Sequence, residues 1–318
     1  VPALLAHHAD ARTNTGMSIQ RRSFTRVMHR PTHEQFLAAL TKTERLSAAP
    51  RVLGSVLQLL RSTDSALHAI SDLINCDPAL AADVLRCANS AYYSRGARVA
   101  AITEAIQVIG FHETIRIVSL VVIRQTTHRD LGSYGIAAED FWAESLFSGL
   151  CLEALVQRTG AGDPGAAYTA GLLRFIGRLA IDQTIADLGG GLFWDGEEPL
   201  ADWERREVGL TQSAAGALLL DRWQFPAVVA NAVGAQDAAP ADWSTLADPL
   251  AAALHALALI LPAGQTLSGL ESPDLMLVPL PAEHPYAIAH AISDEMLAEI
   301  RASAQAAFVK VRRDLYPD

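Results

Sequence analysis

The chain has 318 residues, of which 50% are hydrophobic, 19% charged and 6% aromatic. That apolar content suits one large or two modest domains with a substantial core and excludes wholesale disorder or a fibrous repeat. With 35 acidic against 25 basic residues the net charge is −10, so the chain as a whole repels DNA, RNA and anionic membrane.

The charge is uneven. Residues 1–30 carry Arg12, Arg21, Arg22, Arg26 and Arg30 against Asp10 alone, which makes them +4 and leaves −14 for the remainder. So basic and apolar-poor an arm is expected to be a disordered leader, and it is the one place where nucleic acid or an acidic partner would be met. Val1 suggests an alternative start codon, with Met17 as a second candidate initiator.

Cys76, Cys87 and Cys151 are odd in number, widely spaced and without a C-x-x-C pair, so neither a disulfide framework nor a cysteine zinc site is expected. The expected compartment is a reducing cytoplasm. The apolar run Leu250 to Leu261 contains His255 and is too short to span a bilayer, so it reads as a buried helix.

From Pro31 onward the apolar residues recur at helical spacing, and alternating strand patterns are scarce, so the body is expected to be all-α. Thr32 with Gln35 forms a capping box for a first helix, and a second begins at Pro50 with Val52, Val56, Leu59 and Leu60 on its buried face. Asp64 or Ser65 caps a third helix, which buries Leu67, Ile70, Leu73 and Ile74. Asp77-Pro78 opens a fourth, an N-cap oxygen followed by proline at the first helical position, with Leu80, Val84, Leu85 and Ala88 inward. Ile102, Ala105, Ile106 and Ile109 mark a fifth face ending at Gly110, and Ile115 to Ile123 belong to the next helix. The Gly132- and Gly135-containing stretch Leu131 to Ala138 reads as a hinge.

Beyond it, helices are expected at 140–159, 166–187, 201–222 and 226–235, then an apolar helix at 245–261, a proline-rich loop through Pro285, and a closing helix at 286–314. The domain reading is therefore a leader at 1–30, an N-terminal helical bundle at 31–130, a second helical group at 139–240 and a C-terminal extension at 241–318. Gly189-Gly190-Gly191 lacks the preceding strand and following lysine of a phosphate loop and reads as a connector.

Several blocks carry a family resemblance. They are Ile74-Asn75-Cys76-Asp77-Pro78-Ala79-Leu80, Val84 through Tyr93 with Asn89-Ser90 at its centre, and Ile102 through Gly110. Further along come Phe141-Trp142-Ala143-Glu144-Ser145, Ala170-Gly171-Leu172-Leu173 with Ile176-Gly177-Arg178-Leu179, and Gly216-Ala217-Leu218-Leu219 with Trp223 and Pro226. Over roughly residues 46–240 this order of blocks resembles the HDOD family, bacterial signalling proteins whose output domain is related to HD phosphohydrolases. The resemblance implies an HD-like helical fold, with an N-terminal bundle packed on an HD-like group. Most signature residues have architectural uses: Asp77 and Pro78 start a helix, Asn89 and Ser90 lie where it ends, Gly110 caps the next, Gly171, Gly177 and Gly216 admit close helix packing, and Trp142, Trp223 and Pro226 bury area or terminate elements. Asn89 with Tyr92 and Tyr93 is also a candidate binding group.

The resemblance further implies where metal ligands would stand in a catalytic relative. The first His position is Glu144, the His-Asp position is Arg174-Phe175, and two later His positions fall at Gln212 and at Ala235-Gln236. Arg donates only, Phe offers nothing and Gln is a weak neutral ligand, so no metal site, cofactor or catalytic set is expected. Glu144 and Arg174 are expected to pair inside the former cavity, with Arg174 and Gln212 as an anion-binding alternative. His7, His8, His29, His33, His68, His112, His128, His255, His284 and His290 form no H-E-x-x-H, and no G-x-S-x-G elbow exists.

The functional expectation is a cytoplasmic, non-enzymatic signalling module that acts on a protein partner, with homodimerisation through the extension as one form of that contact. A nucleotide or cyclic-dinucleotide sensor and a residual metal-dependent phosphohydrolase are the alternatives.

Overall fold

The computed structural model describes residues 32–42, 66–90, 98–126, 129–238, 248–261 and 278–315, all within the unit Pro31–Asp318. The basic leader, the helix expected from Pro50 and the tyrosines Tyr92 and Tyr93 lie outside the described residues. Among the described residues the chain is helical, apart from one isolated antiparallel bridge, Leu131 with Ile136.

The first helix, α1 (His33–Lys42), opens on a reciprocal capping box: Thr32 N–H donates to Gln35 Oε1 at 3.0 Å and Gln35 N–H to Thr32 Oγ1 at 3.2 Å. Next come α2 (Ala66–Asn75) and α3 (Pro78–Ala88), the latter started by Asp77, whose Oδ1 accepts from Leu80 N–H at 3.0 Å. The helix α4 (Ile102–Ile109) buries the four residues its periodicity marks and ends at Gly110, whose φ of +86° excludes most side chains, before α5 (Phe111–Thr126) begins. Then α2 to α5 pack on one another, and α5 lies against the second helical group.

The stretch expected to be a hinge is a locked turn. Leu131 and Ile136 exchange backbone hydrogen bonds, Ser133 N–H donates to the buried carboxylate of Asp182 at 2.8 Å, and Trp194 N–H donates to Ser133 C=O at 2.9 Å. Arg129 Nη1 closes the turn's base on Asp182 at 2.7 Å. The two glycines set the turn geometry here, and tertiary hydrogen bonds remove the freedom they would otherwise give.

The second group holds α6 (Ala138–Thr159), α7 (Pro164–Leu173), α8 (Ile176–Asp187), α9 (Leu200–Glu207), α10 (Gln212–Arg222) and α11 (Ala227–Ala235). Two expected helices are each broken in two. Between α7 and α8 the Arg174 carbonyl accepts from Gln236 Nε2 at 2.9 Å, and Arg178 N–H turns to Phe175 C=O, so the chain kinks where a distant side chain takes the backbone acceptor. Between α9 and α10 the stop and start are local: Gly209 at φ +81° ends one helix and Thr211 caps the other.

Glycine sets the closest approaches in this group. A Cβ on Gly177 would lie 1.8 Å from Gln212 O, and one on Gly171 would lie 2.6 Å from Ser148 O, so α8 meets α10 and α6 meets α7 nearly backbone to backbone.

The extension contributes α12 (Pro249–Ile260), α13 (Pro285–His290) and α14 (Asp294–Leu315). A single closing helix is replaced by two: Ala291 takes a left-handed φ of +50°, and Ser293 Oγ accepts from Met296 N–H to start α14. α12 packs on α6, α7 and α11, while α14 packs on α6 through Phe308, which meets both Trp142 and Phe147. The first helix, α1, reaches across to α8, and one hydrophobic core runs through all these elements.

Candidate functional site

The positions that the family resemblance assigns to metal ligands come together around the α7–α8 kink, and Glu144, Arg174 and Gln236 bond through their side chains to other parts of the chain. Arg174 is 1% exposed. Its Nη2 donates to the backbone carbonyl of Leu261, the residue capping α12, at 2.7 Å. A helix C-terminus carries partial negative charge on its last carbonyls, so this is a favourable seat for a guanidinium. Arg174 also stacks on Phe175, with its Cζ 4.2 Å from the ring centroid, and Arg178 stacks on the same ring at 4.4 Å. Burial lowers the Arg174 pKa to about 10, against the pull of Glu144 and with a further push from Arg178, and the group stays cationic at neutral pH.

The expected direct pair between Glu144 and Arg174 is replaced. Glu144 Oε2 faces Arg178 Nη1 at 3.6 Å, an ion-pair distance too long for a hydrogen bond. The reason is the kink: Arg174 turns toward the end of α12, while Arg178, one helical turn further along, takes the carboxylate on α6.

Gln212 sits at the start of α10, and its backbone N–H, rather than its side chain, makes the local contact, donating to Glu204 Oε2 at 2.7 Å. Glu204 also accepts from Tyr134 Oη at 3.0 Å and is 1% exposed. Burial raises its pKa to about 7, opposed by the Gln212 N–H, Arg178 and the Tyr134 hydroxyl. Gln236 is equally engaged: its Nε2 donates to Arg174 C=O and to Val233 C=O, both at 2.9 Å.

This donor set does not fit the divalent metal of an HD hydrolase. Such a site needs several imidazoles and carboxylates converging with lone pairs free. Here the converging groups are two guanidiniums, a phenyl ring, two amides and the single Glu144 carboxylate, which faces Arg178, and among the described residues no three His, Cys, Asp or Glu side chains are grouped to hold an ion.

The remaining signature residues make contacts within the fold. Asn89 holds the chain after α3 by donating from Nδ2 to Leu85 C=O at 2.8 Å and Val99 C=O at 2.9 Å, while its Oδ1 accepts from Val99 N–H at 2.8 Å. Ser90 N–H bonds Cys87 C=O, Trp223 is buried at the end of α10, and the Pro226 carbonyl accepts the first bonds of α11. Gly216 lies against Val233 and the Gly177 backbone.

Sequence reasoning missed Glu204, Arg178 and the histidine pair His255–His284. Tyr134 lies 70 residues from Glu204, Glu144 34 from Arg178 and the two histidines 29 apart, and no local spacing announces these contacts. For Glu204 a weak signal existed in its central place on the short helix before Gly209.

An all-α module with an HD-like helical group is thus the class this fold defines. The HDOD domain model matches residues 46–239, so the chain belongs to the HDOD family. Among solved structures it is similar to an HDOD domain protein of unknown function from Geobacter sulfurreducens, with 20% identity, 89% of this chain and 98% of that one covered, and a TM-score of 0.58. It is also similar to a protein from Marinobacter aquaeolei VT8 whose name proposes a role in signal transduction (18% identity, 91% and 67% covered, TM-score 0.63). A third, from Shewanella amazonensis SB2B, is proposed by name to be a phosphohydrolase (21% identity, 88% and 95% covered, TM-score 0.54). At these identities the likeness is one of fold. No curated protein matches. No described helix is long and apolar enough to cross a membrane.

Proposed function

We propose that this chain is a non-enzymatic signalling module of the HDOD family that works by presenting a surface to a protein partner. The observation that supports the reading is the contact between Arg174 and Leu261: at a position to which the family resemblance assigns a metal ligand stands a buried guanidinium bonded to the chain's own C-terminal segment. A cation in that place repels a divalent ion, and a hydrolytic water would have neither a Lewis acid nor a free base beside it.

The test pairs two measurements on the full chain: calorimetric titration with manganese, and hydrolysis of bis(p-nitrophenyl) phosphate and cyclic dinucleotides with and without that metal. The reading expects no saturable manganese binding and no metal-dependent turnover. Stoichiometric manganese binding accompanied by turnover would overturn it. Crosslinking in cells of origin then identifies the partner.

A nucleotide-sensing role has one observation in its favour: Arg174 Nε and Nη1 and Arg178 Nε have no hydrogen-bond acceptor. A ligand at a hundred times its dissociation constant would stabilise the fold by about 2.7 kcal/mol, so a thermal-shift titration with cyclic dinucleotides separates this role from the first.

A further inference from the structure

Two histidines 29 residues apart meet inside the C-terminal extension. His255 Nδ1 lies 2.8 Å from His284 Nε2, the rings are tilted by only 9°, and their centroids are 5.0 Å apart, the spacing of an in-plane N–H···N bond. The flanking contacts fix the tautomers. Tyr286 N–H donates to His284 Nδ1 at 3.1 Å, so the His284 proton is on Nε2 and points at His255. His255 Nδ1 therefore accepts, and its own proton sits on Nε2, donating to the Ala238 carbonyl at 2.9 Å. The relay runs from the N-cap of α13 through α12 to the chain just after α11, and both rings are buried. It joins the extension to the helical group that the family model covers.

We propose that this relay is an acid-sensitive latch that fastens the α13 segment of the C-terminal extension to α12 and opens on acidification. One proton lies between the facing nitrogens. A second proton on His255 sets two N–H groups against each other at 2.8 Å, unless His284 moves its proton to Nδ1, where it meets the Tyr286 N–H. Either way one link of the chain breaks, whereas a solvated histidine accepts the proton freely.

The surroundings oppose protonation. Burial lowers both pKa values, that of His284 to about 4 with His255 adding to the effect, while Asp237 after α11 pulls His255 the other way. From α13, His290 meets Tyr286 with its ring tilted by 50°, and from α6 the hydroxyl of Thr159 meets the Tyr286 hydroxyl at 2.8 Å. At the far end of α12, Arg174 binds Leu261. Because the folded pKa values lie below the free value, the latch's stabilisation is complete above about pH 6.5 and is lost as pH falls toward 4.

The experiment is amide hydrogen exchange on the full chain between pH 7.5 and 5.0, corrected for intrinsic rates, with imidazole nitrogen NMR on the same samples. The latch predicts neutral, Nε2-protonated rings at pH 7.5, and about a tenfold greater loss of protection in 285–290 than in α6 by pH 5. His284→Gln, which keeps a donor toward His255, and His255→Asn, which keeps an acceptor toward His284, are expected to abolish the extra loss. A uniform loss across the core, no loss, or a doubly protonated ring at pH 7.5 would each overturn the proposal. The NMR arm needs no variant, so it decides even if both substitutions prevent folding.

Discussion

Arg174 and Leu261, 87 residues apart, are joined by a 2.7 Å hydrogen bond from a fully buried guanidinium to the carbonyl that ends α12. Two effects compete at this contact: burying the charge is costly, and leaving the carbonyl without a donor is costly as well. Arg174→Ala removes the donor and opens a void, so it is expected to lose about 3 kcal/mol in urea unfolding. Arg174→Met refills much of the volume and removes the buried charge, so its loss is expected to stay near 1 kcal/mol or below. Equal losses for the two variants would show that the volume of the side chain does not matter there.

Gly177 is the tightest point of the α8–α10 contact, since an added Cβ would meet the Gln212 carbonyl oxygen at 1.8 Å and the Gly216 nitrogen at 2.8 Å. Both are backbone atoms on a packed helix, so the helices have to separate. Gly177→Ala is expected to cost more than about 3 kcal/mol or to abolish the folded state. Gly190→Ala, at φ +72° with open space around it, should cost only the left-handed strain of about 1–2 kcal/mol. Comparable melting temperatures for the two variants would contradict the packing account.

What the sequence makes legible follows a physical division. Elements announced by local chemistry are where their residues put them: the Thr32–Gln35 box, the Asp77-Pro78 start, the face of Ile102 to Ile109 and the all-α body. The family could be read from separated blocks in order, and the HDOD match covers nearly the same span. The kink at Arg174 could not be read, because it depends on Gln236, 62 residues away, taking a backbone carbonyl. For the same reason the partner of Glu144 was expected one helical turn too early. The breaks at Gly209 and Ser293 did carry local stop and start residues, outweighed in the reading by continuous apolar periodicity.

The Asn89 side chain donates to and accepts from the Val99 backbone across ten residues, and donates also to Leu85 C=O four residues back. Asn89→Ala strips all three and is expected to cost about 2–3 kcal/mol. Asn89→Asp keeps the acceptor for Val99 N–H but turns a carboxylate oxygen toward two carbonyls, so it should be no better than alanine. Wild-type stability in the aspartate variant, measured by chemical denaturation at pH 7, would mean the donated bonds contribute nothing.

Glu204 gives the fold a pH dependence of opposite sign to the histidine pair. Its folded pKa of about 7 lies above the free value of 4.5, so the folded chain holds the proton more tightly. Its contribution is therefore full below about pH 4.5 and is lost as pH rises through 7, by an amount of order 2–3 kcal/mol. The histidines push the other way over part of the same range, so the wild-type curve alone is ambiguous. Glu204→Gln removes one titration and leaves the other, and the wild-type stability minus that of the variant should fall steadily from pH 4.5 to 7. A flat difference across that window would show that the donated bonds from Gln212 N–H and Tyr134 fully offset the burial of the carboxylate.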